Sequence, residues 1–275
     1  TTLDVSGSEM LLKSPKPHYW RAPIDNDYGN KMHTRLKAWK EATENQTLIS
    51  FSHKKTKKGH LVESVFELAA VNSKAEMSYL IQPNGSVKVT NSFDYGGAHD
   101  NTEIPRVGLN MQLSSSLENV EWYGRGPHEN YIDRKASAFM GSYRAKVNEM
   151  KFDYGRPQEN GYRTQTKQLS ITDQDGIGLR FTGSPEFSFA VHNNTTDDYD
   201  DGAWRNSKRK DALGNPKNSH LNGIKPRDLL NLNIDYRQMG VGGDNSWGAK
   251  PHNQYLIWPK DYTYSFIIQP IIKDK

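Results

Sequence analysis

Short segments of β-type residues, separated by strong turn signals, restrict the fold of this chain more than any other feature. Pro83-Asn84-Gly85 separates two such segments at 75–81 and 86–93, and Asn-Gly tolerates the backbone of a tight hairpin. Residues 107–113 alternate apolar with polar or small side chains, which is typical of a strand with one buried face. Further strands are predicted at 60–68, 168–172, 178–182, 187–191, 255–258 and 262–268. The pattern predicts an all-β, antiparallel β-sandwich.

Turn residues also set the expected boundaries of these strands. Gly183-Ser184-Pro185 predicts a break between 178–182 and 187–191, and Pro259-Lys260-Asp261 predicts the turn of a final hairpin. The stretches 141–161 and 193–227 have little periodicity and are predicted to be loops.

One short helix is predicted close to the start of the chain. Its apolar side chains recur at helical spacing: Met32, Leu36, Trp39 and Ala42. The basic residues around them are expected to lie mostly in solvent: Lys31, Arg35, Lys37 and Lys40. Such a helix would close one end of the sheets.

Charge and composition exclude several classes of function. The 36 basic and 32 acidic residues leave a net charge of only +4, whereas a nucleic-acid-binding domain concentrates basic residues on one face. The run Lys54-Lys55-Thr56-Lys57-Lys58 precedes Gly59 and predicts a solvated hairpin tip. No segment reaches the roughly 18 apolar residues of a membrane helix. We therefore predict a soluble protein, cytoplasmic or periplasmic, that binds neither nucleic acid nor membrane.

No metal site is predicted in this chain. Without cysteine there is neither a disulfide nor a thiolate ligand, and the histidines show no metal-ligand spacing. The acidic run Asp197-Asp198-Tyr199-Asp200-Asp201 lacks the glycine and distal glutamate of a dedicated Ca²⁺ loop, so a solvated acidic loop is predicted there.

Residues 239–247, Met-Gly-Val-Gly-Gly-Asp-Asn-Ser-Trp, form the most unusual of the predicted loops. Its three glycines allow tight backbone turns, and Asp244, Asn245 and Ser246 favour turns by hydrogen bonding to nearby backbone. Trp247 ends the loop with a large apolar face. Such a side chain either packs inward or contacts a ligand.

Three segments together resemble the C-terminal domain of β-galactosidases of glycoside hydrolase family 2. They are the 239–247 loop, Trp122-Tyr123-Gly124-Arg125-Gly126-Pro127-His128-Glu129-Asn130-Tyr131-Ile132-Asp133-Arg134, and Trp20-Arg21-Ala22-Pro23-Ile24-Asp25-Asn26-Asp27-Tyr28-Gly29. Weaker similarities are Val107-Gly108-Leu109-Asn110 and Pro157-Gln158-Glu159-Asn160-Gly161, followed by Arg163. Their order and rough spacing match from residue 20 to 247, so the resemblance covers most of the chain. It is to the small-chain domain and not to a whole enzyme.

The resemblance implies both a fold and a role. The fold would be a very large antiparallel sandwich of the galactose mutarotase type, a supersandwich, with residues 1–275 forming a single domain. The two catalytic glutamates would lie in a preceding barrel domain, and no cofactor is expected in this chain, because any Mg²⁺ and Na⁺ sites of the full enzyme would lie outside it. The chain would be a fragment, a processed product or a separate small subunit, inactive alone, of an enzyme expected to be a homo-oligomer.

No catalytic residue is assigned to this chain. Retaining glycosidases need two carboxyl groups about 5 Å apart. Asp25 and Asp27 lie between Pro23 and Gly29, in a predicted loop where turn capping is favoured. Glu129 and Glu159 each follow a proline by two residues and precede asparagine, which indicates a turn-stabilising role.

Trp247 is the one residue predicted to bind substrate. The resemblance implies that it reaches the galactoside site, and the flat indole complements the face of galactose that presents C–H bonds. Asp244, Asn245 and Ser246 are predicted to support the loop, and the segments 20–29 and 122–134 to form scaffold. Two alternatives remain open: a stand-alone carbohydrate-binding module, and a sugar mutarotase, for which no His/Glu arrangement is evident.

Overall fold

The computed structural model describes residues 2–97, 102–200, 224–245 and 247–272, and its described part is dominated by antiparallel strands. The strands are β1 (Asp4–Val5), β2 (Ser8–Glu9), β3 (Leu11–His18), β4 (Thr47–Thr56), β5 (Gly59–Leu68), β6 (Ser73–Ile81), β7 (Val87–Asp94), β8 (Arg106–Leu113), β9 (Asn119–Gly126), β10 (Phe139–Lys146), β11 (Arg163–Thr172), β12 (Gly178–His192), β13 (Leu230–Gln238) and β14 (Tyr262–Ile271). The α-helices are α1 (Asp25–Gly29), α2 (Met32–Arg35), α3 (Lys37–Glu44) and α4 (Thr196–Tyr199).

The long strand β12 joins the two layers of the fold. Its first half pairs with β14, which continues through β7, β6, β5 and β4, and its second half pairs with β13, which continues through β8 and β3. On its other edge, β12 pairs with β11, followed by β9 and β10. The predicted break at 183–185 is therefore wrong, because these residues mark the change of partner within one 15-residue strand.

Alternation along the strands places one apolar face of each layer in a common core. Leu109, Met111 and Leu113 of β8 pack in the same buried cluster as Phe266 of β14 and Val89 of β7. Period-two alternation sends the neighbouring residues to the opposite face.

The predicted all-β, antiparallel sandwich is confirmed, as is the hairpin at 83–85, which joins β6 to β7. The lysine run lies at the tip of the β4–β5 hairpin, as predicted.

Two further predictions, one of a strand and one of a loop, are wrong for tertiary reasons. Residues 255–258 do not form a hairpin with β14: a 3₁₀ turn, Asn253–Tyr255, ends there, and the Ile257 carbonyl accepts a hydrogen bond from Ile104 N instead. The partners of β14 are β7 and β12, which are distant in sequence. The predicted loop at 141–161 begins within β10, which pairs with β9.

The predicted helix is divided at Leu36 into α2 and α3. Met32, Leu36, Trp39 and Ala42 are all buried against the second core cluster, as their spacing predicts. Two of the basic residues expected in solvent instead pair with buried carboxylates: Arg35 with Glu103 at 2.6 Å and Lys40 with Asp200 at 2.6 Å. The described residues contain no helix with the length and apolar character needed to cross a membrane.

The acidic run is not a solvated loop in its described part. Asp200 is buried and accepts a hydrogen bond from the Trp20 indole at 2.9 Å in addition to its contact with Lys40. Asp198 caps α4 through the Thr195 backbone and pairs with Arg227 at 2.5 Å. Asp201 lies outside the described residues.

Candidate functional site

The loop that begins at Met239 is fixed at its root by a buried arginine. Arg21 donates hydrogen bonds to the carbonyls of Met239 at 2.9 Å and Gly240 at 3.0 Å. The same guanidinium contacts both oxygens of Asp27 at 2.9 Å, and both side chains are sealed from solvent. Burial raises the pKa of Asp27, and Arg21 opposes that effect. The 20–29 segment thus holds the loop directly.

Asp133 holds the next turn of the loop. One of its carboxylate oxygens accepts hydrogen bonds from Val241 N at 2.8 Å and Gly242 N at 2.7 Å. A Cβ atom at Gly240 would lie 2.5 Å from that oxygen, so only glycine allows the approach. Asn26 also donates to the Val241 carbonyl at 3.2 Å. All three segments that carry the family resemblance therefore meet at the root of this loop.

The tip of the loop is held by local polar contacts. Asn245 accepts hydrogen bonds from the backbone N–H groups of Trp247 at 2.9 Å and Ala249 at 3.3 Å. Asp244 contacts the His252 imidazole at 2.8 Å. These contacts favour the supporting role predicted for Asp244 and Asn245, whereas Ser246 lies outside the described residues. Gly29 of α1 packs on this turn, since a Cβ there would lie 3.1 Å from Gly248 N.

Trp247 projects from this anchored backbone into solvent. Its side chain is 86% exposed, the largest exposure among the large apolar residues of the described ranges. It does not pack into the core of this chain. An indole held outward on a fixed loop can cover an apolar face of a ligand without any rearrangement of its backbone.

Next to the loop root lies a buried cluster of charges centred on Arg106. Its guanidinium is 3.1 Å from Glu159 and 3.2 Å from Asp235, and it also donates to Gln238 and contacts His18 Nδ1. Burial raises the pKa of Asp235 to about 7, an effect that the charge of Arg106 partly offsets. Burial likewise raises the pKa of Glu159. These carboxyl groups are held as structural partners of one cation.

The other carboxylates that sequence analysis considered also have structural partners. Asp27 accepts from Ile24 N at 3.0 Å and so caps α1, a short helix where a loop was predicted. Asp25 accepts from the Gln158 amide at 3.1 Å. Glu129 accepts from Gly161 N at 2.7 Å and contacts Arg134 and Tyr154. Only Asp27 makes the local capping contact that the sequence predicts, whereas Asp25 and Glu129 accept hydrogen bonds from residues 133 and 32 positions away along the chain.

His192 gives a test of this buried polar region. Its Nε2 contacts the Asn160 carbonyl at 3.0 Å, and burial lowers its pKa to about 4, from an ordinary value near 6.5. The folded pKa is depressed, so the imidazole contributes stability above pH 6.5 that is lost as pH falls towards 4. The wild type should lose roughly 2 kcal/mol at pH 5 through this one group.

We therefore expect the stability advantage of the wild type over His192→Gln to be about 2 kcal/mol smaller near pH 5 than near pH 7.5. Urea unfolding of both proteins at the two pH values measures this difference. The pKa values of Asp235, Glu159 and Asp27 are raised, so these groups change stability with pH in the opposite direction. Both proteins contain them, so their effect cancels in the difference. A constant difference would mean that His192 titrates normally in the folded state.

The sequence indicates the segments of this site but not the residues that connect them. Arg21 and Asp133 were included only as scaffold, because their contacts with Gly240 and Gly242 span more than 100 residues of chain. One signal was available: both segments pair a charged residue with glycine and proline turns. Among the described residues, no three histidine, aspartate or glutamate side chains gather in a way that could hold a metal ion.

A known protein family matches nearly the whole chain. The family described as β-galactosidase small chain matches residues 1–268. The chain belongs to the β-galactosidase small-chain family. Because the match covers nearly the whole sequence, it includes the Met239–Trp247 loop and both segments that hold it.

Curated relatives of this small chain are whole β-galactosidases. The enzyme of Priestia megaterium is 32% identical over 270 residues, which is 96% of this chain and 24% of that protein. The enzyme of Streptococcus thermophilus is 28% identical over 275 residues, covering 97% of this chain and 24% of that protein. The small chain therefore spans about a quarter of the length of the curated relatives it matches.

Solved structures similar to this small chain are more distant. A galactose mutarotase related enzyme from Lactobacillus acidophilus superimposes with a TM-score of 0.41 and 7% identity, over 81% of this chain and 71% of that one. A GalM/aldose epimerase homologue from C. elegans has a TM-score of 0.38 and 10% identity, over 80% and 68%.

Proposed function

We propose that this chain is the non-catalytic C-terminal domain of a β-galactosidase and completes the galactoside-binding site of a separate catalytic barrel domain. The observation that carries the proposal is the exposure of Trp247 on a loop whose backbone is anchored at both root and tip. Burying a large apolar side chain is worth about 1.5–3 kcal/mol. A fixed loop that leaves its tryptophan in water is suited to contact a ligand or another domain, which would cover the indole.

The contacts of the carboxylates in this chain indicate that the catalytic groups lie in other domains of the enzyme. A retaining glycosidase needs one carboxyl group as nucleophile and another as acid or base. In this chain Asp27, Glu129, Glu159 and Asp235 are engaged with buried or partly buried arginines or with backbone N–H groups. We infer that the nucleophile and acid lie in other domains of the enzyme, as do any Mg²⁺ and Na⁺ sites. The length of the curated relatives leaves room for such domains.

The role of Trp247 at the galactoside is stacking. The indole covers the C–H face of the sugar, excludes water from it and restricts its orientation. The glycines and Asp133 determine where the loop leaves the sheet, and Asn245 determines the direction of the Trp247 backbone. Substrate binding would therefore depend on residues of this chain that never contact the sugar.

The test is Trp247→Ala in the complete enzyme. We expect KM for a nitrophenyl β-galactoside to rise about 10- to 100-fold, because a buried aromatic contact contributes about 1.4–2.8 kcal/mol. Trp247→Phe should restore part of the affinity. The matched control is Trp258→Ala, which removes another exposed tryptophan (45%) that is not part of the 239–247 loop and should leave KM unchanged.

Two results would contradict the proposal. One is an unchanged KM in a folded Trp247→Ala enzyme. The other is hydrolysis of the nitrophenyl galactoside by the 275-residue chain alone, with a rate that falls when its own carboxylates are replaced.

A further inference from the structure

The layer formed by β3, β8 and β13 has a polar face opposite its core face. On β8, Asn110 and Gln112 alternate with core residues, and on β13 Asn231 and Asn233 do the same. Register places Asn231 directly across from Gln112 and Asn233 across from Asn110. Four carboxamides therefore form a patch on adjacent strands. Uncharged amides are unusual on a largely buried sheet face, because each buried N–H and C=O group of the side chain needs a hydrogen-bond partner.

A cleft of about 630 Å³ lies over this patch. Its floor includes Asn110, Gln112, Asn231 and His18, and its walls come from α3, from α4 and from the residues that precede β13. Sites for small molecules typically enclose about 300–1,000 Å³. None of the lining residues belongs to the Met239–Trp247 loop, so the cleft is separate from the site proposed above.

The floor of the cleft is rigid. The Asn110 amide donates to Asn231 Oδ1 and Asn233 Oδ1, both at 2.9 Å, and Asn233 Oδ1 also lies 3.1 Å from His18 Nδ1. Burial, reinforced by the nearby charge of Arg106, holds the pKa of His18 well below its ordinary value, so the imidazole is neutral near pH 7. Groups held in this way lose little freedom when a ligand binds.

Several polar groups of the cleft have no partner within the described residues. They include the Gln112 amide, Asn231 Nδ2 and His18 Nε2, although the Asn231 and His18 side chains are more than nine-tenths buried. None of these atoms is sealed from solvent. At the mouth, the exposed Lys13 and Lys16 also lack ion-pair partners in the described ranges. A buried polar group without a protein partner costs about 1–3 kcal/mol unless water or a ligand satisfies it.

We propose that this cleft binds a neutral saccharide of one or two rings, through hydrogen bonds between its hydroxyl groups and the side chains of Gln112, Asn231, His18 and Lys16. Carboxamides suit this ligand because each presents a donor and an acceptor side by side, as a pair of neighbouring hydroxyls does. The floor carries no net charge, and the buried carboxylate that lines the cleft, Asp200, is ion-paired with Lys40. The cleft is independent of Trp247 and would operate whether or not the loop contacts a galactoside.

The experiment is a titration of the full chain with galactose, glucose and lactose, followed by saturation-transfer NMR and calorimetry. We expect saturable binding of at least one of them in the millimolar range or tighter. Gln112→Ala and Lys16→Ala should each weaken it about 3- to 10-fold, since one neutral hydrogen bond contributes roughly 0.5–1.5 kcal/mol. Neither side chain makes a hydrogen bond within the described protein, so both variants should fold normally. The exposed Lys55→Ala serves as the control and should leave this affinity unchanged, and Trp247→Ala tests whether the sugar binds at the loop instead of the cleft.

Three outcomes would overturn the proposal. The first is the absence of saturable binding by all three sugars. The second is binding that Trp247→Ala abolishes and Gln112→Ala leaves intact, which would place the sugar at the loop. The third is displacement of the sugar by inorganic phosphate with loss of phosphate binding in Lys16→Ala, which would identify an anion site.

Discussion

Replacing Arg106 by methionine is expected to lower the free energy of unfolding by about 3–5 kcal/mol, the usual effect of removing one partner from a buried ion pair. The guanidinium is fully buried and is the cation shared by Glu159 and Asp235. Methionine has a similar length, so the main change is the loss of charge and donors. Gln238 would also lose its donor. Urea unfolding measures the effect.

The pH dependence of this variant separates lost charge from lost packing. Burial already raises the pKa of Asp235 to about 7 and raises that of Glu159, and removal of Arg106 would raise both further. Acids with raised folded pKa values contribute stability at low pH that is lost as pH rises. Arg106→Met should therefore be less destabilised near pH 6 than near pH 8.

Arg144→Met is the matched control for Arg106→Met. Arg144 also forms an ion pair, with Glu121 at 2.8 Å, but its side chain is 82% exposed. Exposed pairs contribute little, so this change should leave stability almost unaltered. Equal losses in the two variants, or an Arg106→Met protein as stable as the wild type, would contradict the role assigned to the cluster.

Arg21→Met is expected to cause the second large loss, again about 3–5 kcal/mol in the free energy of unfolding. The substitution leaves Asp27 as a buried carboxylate without its cation, and it leaves the carbonyls of Met239 and Gly240 without their donor. Unlike Arg106, this arginine contacts the loop backbone itself. The loss should therefore be accompanied by a local effect on the loop.

Hydrogen exchange detects that local effect. The amides of Gly240, Val241 and Gly242 are hydrogen-bonded at the loop root, and their exchange should accelerate more than that of amides in β8. If Trp247 contacts the galactoside as proposed, KM for a galactoside in the complete enzyme should also rise as Trp247 loses its fixed position. Arg144→Met again supplies the control. Uniform acceleration across the fold would mean that Arg21 stabilises the domain without positioning the loop.

Local chemistry was sufficient to predict much of the fold. The alternation in 107–113, the Asn84-Gly85 turn and the apolar spacing of Met32, Leu36, Trp39 and Ala42 all appear in the structure as expected. Each depends on residues within a few positions of one another, where strand and helix periodicity operate. The family resemblance added the sandwich architecture and drew attention to Trp247.

Only the tertiary structure determined what the polar residues do. Gly183–Pro185 looks like a break but lies within β12, because the pairing partner changes there from β14 to β13. Arg21 and Asp133 reach the 239–247 loop across more than 100 residues, and Asn231 meets Gln112 only through strand register. Hydrogen bonds and ion pairs act over about 3 Å in space and are independent of distance along the chain, whereas sequence patterns report only near neighbours. The sequence by itself therefore determined many of the strands and their buried faces, and folding determined which charged and polar groups hold the loop and form the cleft.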